Sequence, residues 1–145
     1  MDAFEAVSSP ELSIVPRRKY FTISEANRAL NLVGRIVSDI VRDYKKLREL
    51  HTACQAFDAK GNVCKAEEVR RQYASITDHL SELNEELEKI GCELKDYRLG
   101  LVYFPSMQQG REVCLCWKLG EEQIMSWHPA GLGYPSREPI GGNME

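Results

Sequence analysis

Apolar positions follow two different periods along this chain, and the change of period divides it. Ala26, Leu30, Val33, Val37, Ile40, Tyr44, Leu47, His51 and Cys54 recur at alternating spacings of four and three, the seam of a coiled-coil-like helix. Ala29, Leu32, Ile36 and Val41 widen that apolar face. Thr22-Ile23-Ser24-Glu25 reads as a capping box, so the pattern predicts a helix from about Ser24 to Ala56. Asp58, Gly61 and Asn62 break it. A second series, Ala66, Val69, Tyr73, Ile76, Leu80, Leu83, Leu87 and Ile90, closes at Gly91, a residue suited to a left-handed cap. Folding the chain back near Lys60 sets Cys54 against Ala66, His51 against Val69, Leu47 against Tyr73 and Leu30 against Ile90. These pairs predict an antiparallel helical hairpin over residues 22–92, with helices ~45 Å long at ~1.5 Å per residue. Residues 23–56 carry six basic and four acidic side chains and residues 64–96 five and nine, so the two arms attract.

After Tyr97 the period becomes two. Three strands are predicted, Leu99–Phe104, Glu112–Lys118 and Gln123–His128, with a loop over 105–110 and a tight turn at Gly120-Glu121. That turn pairs Trp117 with Ile124, Leu115 with Ser126 and Val113 with His128. It sets Arg111, Val113, Trp117 and His128 on one face and Cys114, Cys116, Met125 and Trp127 on the other. The expected fold is therefore α+β: a long antiparallel hairpin followed by a three-stranded antiparallel β-meander over 99–128. Residues 1–20 read as a flexible leader, residues 21–128 as a single domain, and residues 129–145 as a Pro/Gly-rich tail without regular structure, whose Leu132, Tyr134 and Ile140 can pack on the sheet.

Composition narrows the class. With 145 residues, 43% apolar and 28% charged, the chain has the make-up of one soluble domain. It lacks the apolar run of a membrane span, and its first residues lack the pattern of a secretory signal. A net charge of −3, with only Arg17-Arg18-Lys19 as a basic cluster, argues against a nucleic-acid partner. Five cysteines, an odd number without a C-x-x-C pair, point to a reducing cytoplasm rather than to a disulfide framework. Apolar residues on both sheet faces and on both helices exceed what one chain can cover, which predicts a homodimer. Trp117, Trp127, Tyr44 and Tyr73 are its candidate interface anchors.

The stretch Lys95-Asp96, Gly100-Leu101-Val102, Phe104-Pro105, Gly110-Arg111-Glu112-Val113, Leu115-Cys116-Trp117-Lys118-Leu119-Gly120-Glu121, Ile124, Trp127-His128, Arg137 and Pro139-Ile140 resembles a small bacterial family catalogued as domain of unknown function 2203. Tyr20-Phe21-Thr22 and Glu25-Ala26-Asn27 match the start of that family. The resemblance covers about Tyr20 to Ile140 and implies a cytoplasmic protein with a helical arm and a short β-meander, but no activity. The family usually has Asp where Tyr103 stands and an acidic residue where Pro129 stands, so no carboxylate chemistry carries over at those two positions.

Three constellations carry candidate chemistry. Cys114, Cys116 and His128 have the donor types of a transition-metal site, although the turn register puts His128 on the opposite face. Arg111, His128 and Arg137 could hold a carboxylate or phosphate at the end of the sheet. Cys114 and Cys116 could act as redox thiols if exposed and of lowered pKa. Glu121 reads as a solvated turn carboxylate, His51 as a seam residue and His79 as an exposed one. No phosphate loop, nucleophile elbow or H-E-x-x-H motif is present. The leading reading is a non-enzymatic, homodimeric interaction module with no cofactor and a possible protein partner. The alternative is a small metal- or anion-binding protein or enzyme.

Overall fold

Two facing apolar seams need each other, and the chain supplies them in succession. In the computed structural model, which describes residues 19–142 and residue 144, α1 (Ile23–Ala59) and α2 (Val63–Ile90) form the expected hairpin. The expected leader lies, up to residue 18, outside the described residues. Both halves of the capping box form: Thr22 Oγ1 accepts the Glu25 N–H (3.0 Å) and Glu25 Oε1 accepts the Thr22 N–H (2.9 Å). Asn62 caps α2, and Gly91, at φ 108°, ends it with its N–H on the Leu87 carbonyl. Two expected seam positions are exposed, Tyr73 and His51, and the second exchanges with its neighbour. His51 is exposed and Leu50 is buried. A straight helix drifts about 20° per heptad against a 3.5-residue repeat, so at this level Leu50 and His51 straddle the buried line. The apolar side chain then takes the inside.

The sheet has five strands rather than three, β1 (Glu93–Asp96), β2 (Leu101–Gln108), β3 (Arg111–Lys118), β4 (Ser126–Pro129) and β5 (Glu138–Pro139), each antiparallel to its neighbour in chain order. The two unexpected strands are the outermost ones. β1 is too short to register as a period-two run, and β5 lies in the tail that was read as irregular. β2 also continues through Pro105 into the expected loop. Pro105 lacks an N–H, but it sits beyond the last β1 pair at Tyr103, and its carbonyl accepts the Phe21 N–H (2.7 Å). The β2–β3 turn is Gln109-Gly110, with φ 55° and 77°, the two positive values of a type I′ turn.

The inner sheet face, with Val102, Phe104, Val113, Leu115 and Trp117 buried, packs on Ala26, Val33, Val37 and Ile40 of α1 and on Leu80, Leu83 and Leu87 of α2. It therefore covers only the proximal half of the hairpin. At the base of the free half, Tyr44 stacks on Tyr97 (centroids 5.4 Å), whose hydroxyl accepts from Asn84 Nδ2 (2.9 Å). Farther out, Leu50, Ala66 and Val69 form a separate buried strip, and Asp58 pairs with Arg70 (2.7 Å) near the tip. No helix among the described residues is long and apolar enough to cross a membrane.

Gly100, just before β2, comes close both to α1 and to Leu119. It has φ 72°, and a Cβ there would lie 2.8 Å from Leu119 Cβ and 3.0 Å from Val37 Cγ1. Gly100→Ala is expected to cost about 2–3 kcal/mol in urea unfolding, from backbone strain plus overlap. Gly110→Ala, with φ 77° but open space around it, should cost about 1 kcal/mol. Equal losses at the two positions would show that backbone strain alone matters.

His79 of α2 meets Asp43 of α1, and that hydrogen bond raises the imidazole above its ordinary value. The contact is thus fully present below the unfolded-state value of about 6.5 and fades as pH rises through the folded value. An NMR titration should find the His79 midpoint lowered in Asp43→Asn; an unmoved midpoint refutes the assignment.

Candidate functional site

The register of β4 decides which side chains share the outer sheet face, and the loop before it sets that register. β3 ends at Lys118 and β4 begins at Ser126, so Leu119–Met125 replaces the expected two-residue turn. The Glu121 carboxylate accepts the Lys118 N–H (3.0 Å), and its carbonyl accepts the Trp117 indole N–H (2.8 Å). Farther on, the buried Ile124 is drawn toward α1, where Asn27 Oδ1 accepts its N–H (2.7 Å). The pairs are consequently Cys116 with Ser126, Leu115 with Trp127 and Cys114 with His128. A shift of one residue from the expected register moves every β4 side chain to the other face.

His128 thereby joins Cys114 and Cys116 on the outer face, where sequence reasoning had kept them apart. Trp127 moves to the inner face opposite Leu115 and packs against the core. Tyr103, opposite Cys116 on β2, completes the outer cluster. Its ring meets the His128 ring edge-on, with centroids 4.7 Å apart. The tail lies over this cluster. The Tyr134 backbone N–H reaches the Tyr103 hydroxyl, Arg137 comes near Cys116 and lies over the Tyr134 ring (4.1 Å), and Pro139 pairs with Ser126.

Burial governs the electrostatics. Cys116 is 1% exposed, and desolvation pushes its thiol up to about 12. Its Sγ lies 3.8 Å from the Cys114 carbonyl, to which the thiol donates. Burial thus works against an activated redox thiol at Cys116. Desolvation likewise raises the Tyr103 phenol. His128 is also 1% exposed. Its Nδ1 is 2.9 Å from the Pro129 carbonyl, which can only accept, so Nδ1 carries a proton and, in the neutral imidazole, Nε2 presents a lone pair. That Nε2 is buried and has no hydrogen-bond partner among the described residues.

The expected anion trio is not brought together. Arg111 lies on the other sheet face from His128, beside a small cavity of about 240 Å³ bounded by Gln108, Trp127 and Glu138, and Arg137 is engaged with Tyr134. The metal trio shares a face, yet among the described residues no three His, Cys, Asp or Glu side chains are grouped to hold a metal ion. Of the interface candidates, Trp117 is 3% exposed and belongs to the core, Trp127 and Tyr44 are half-buried, and only Tyr73 is exposed. Sequence reasoning missed Glu121 and Asn27 as clamp residues. The available signal was the Gly120-Glu121 motif four residues past Trp117, which suits a turn closed by its own carboxylate as well as it suits a tight hairpin.

Compared with known proteins, residues 19–140 match the model of a family described as uncharacterized conserved protein (DUF2203). No curated protein and no solved structure matches the chain.

The burial pattern fixes an order of thiol reactivity. Iodoacetamide should label the exposed Cys64 in the folded protein, with Cys92 and Cys116 labelled only on unfolding. Labelling of Cys116 as fast as Cys64, read by peptide mass spectrometry, would contradict the covered outer face.

Proposed function

Because the chain belongs to the DUF2203 family, whose description names no activity, we propose from its geometry that it is a non-enzymatic interaction module that pairs with a second copy through the free half of its hairpin. One observation carries this reading: the sheet braces only the proximal half, and the free arm keeps an open seam. A groove of about 370 Å³ runs there along Leu50, Cys54, Val69 and Tyr73, with Tyr73 40% and Val63 58% exposed.

A second copy suits this surface better than a strongly charged partner. Residues 47–73 carry five basic and four acidic side chains, with Arg70 on Asp58 and Arg71 on Glu68, so the arm offers no strong field of one sign. An identical arm supplies a matching apolar strip and completes a four-helix seam. The contact would cover roughly 20 Å of two-helix surface, on the order of 400 Å² per copy or about 800 Å² in total, in the range of weak, transient contacts. The dimer is therefore expected to be weak and concentration-dependent. None of the five cysteines is in a disulfide, which is in keeping with work in a reducing cytoplasm.

Light scattering after size exclusion, from micromolar to near-millimolar protein, tests the reading. A monomer–dimer equilibrium is expected, and Tyr73→Glu should weaken it at least about tenfold, or roughly 1.4 kcal/mol, without lowering the melting temperature. A monomer at every concentration, or a dimer indifferent to Tyr73→Glu, would overturn it.

A further inference from the structure

The His128 lone pair stands out because a buried acceptor without a partner is costly, about 1–3 kcal/mol, and a protein interior seldom leaves one so. Strands lie about 4.8 Å apart, so β2 and β4, on either side of β3, are roughly 10 Å apart. Their Tyr103 and His128 rings are nevertheless in contact at 4.7 Å. The two rings therefore meet above β3, over its Cys114–Cys116 stretch, since Tyr103 is paired with Cys116 and His128 with Cys114. The imidazole thus sits above the stretch that carries Cys114, its cross-strand partner, with its Nδ1 proton donated to the Pro129 carbonyl.

We propose that His128 Nε2 and Cys114 Sγ form a two-coordinate site for a soft monovalent metal ion of the copper(I) class. The donor set selects softness: one imidazole and one thiolate suit copper(I), whereas zinc needs three or four protein ligands, which the described residues do not gather. The charge also fits a covered face. A thiolate and a monovalent cation sum to zero, so the occupied site buries no net charge, while a divalent ion would leave one uncompensated. The Pro129 carbonyl fixes the tautomer and ring orientation, the usual outer-shell support of a ligating histidine. Cys114, directly paired with His128, is half-buried, whereas Cys116 is fully covered and pairs with Ser126 instead. Binding breaks the Cys114 S–H bond and forms an S–metal bond. The proton leaves to solvent and the metal keeps its oxidation state, so affinity rises with pH.

The test is an anaerobic titration of the reduced full chain with copper(I) held by a chromophoric chelator. One copper(I) per chain is expected. Cys114→Ser and His128→Gln should each weaken it at least about 100-fold, more than loss of a second-shell partner does. Cys116→Ser and Cys64→Ser should retain it, and zinc should not be held. Near-UV circular dichroism checks that each variant is folded. If His128→Gln does not fold, Cys114→Ser together with loss of the His128 ring-nitrogen NMR signal shift on copper(I) addition decides. No uptake, uptake unchanged in Cys114→Ser, loss in Cys64→Ser or Cys116→Ser, or tight zinc retention would each overturn the site.

Discussion

The sheet takes its arrangement from a single clamp: Asn27, near the start of α1, holds the Ile124 backbone N–H at 2.7 Å, while Glu121 and Trp117 close the loop behind it. This draws the chain between β3 and β4 down onto the helix and lengthens it to seven residues. The strand that follows can then pair only one residue away from where a two-residue hairpin would set it. That slip decides the chemistry of both faces. Trp127 turns inward and packs, half-buried, against the core, and His128 turns outward to meet Tyr103 on the face that carries the two thiols. The tail closes over the same cluster because β5 pairs with β4, the strand the clamp has positioned.

The hairpin is divided by the length of the sheet. Eight-residue strands span about 27 Å at ~3.4 Å per residue, while the 37 residues of α1 span about 55 Å at ~1.5 Å per residue. The sheet, lying along part of the hairpin, leaves the rest uncovered. The proximal part is a three-layer contact of sheet and two helices, with Phe104, Leu115 and Ile40 fully buried. The distal part is held by one seam and by the Tyr44–Tyr97–Asn84 brace at its base. The two halves accordingly differ in what they offer. The proximal half is packed against the sheet, and the arm carries the groove between Leu50 and Tyr73.

Much of this was legible in the residues themselves. The capping box at Thr22 and Glu25, the glycine cap at Gly91, the antiparallel hairpin of two helices and the antiparallel order of the strands after it all follow from local patterns, and these formed as expected. The Leu50–His51 exchange was not, because a seven-residue repeat on a 3.6-residue helix leaves two neighbours equally placed, and only packing chooses between them. β1 and β5, four and two residues long, carry too short a pattern to be read.

The candidate site depended on contacts distant in the chain. The sequence by itself determined that Cys114, Cys116 and His128 lie on adjacent strands of one sheet, because period-two alternation and turn residues are local properties. Which face His128 takes depended on a hydrogen bond from residue 124 to residue 27, almost a hundred positions away. Strand register has no local marker once a loop exceeds two residues, since the same alternation fits either of two pairings. The burial of Ile124 against α1 selected one of them, and only the tertiary structure contains that contact.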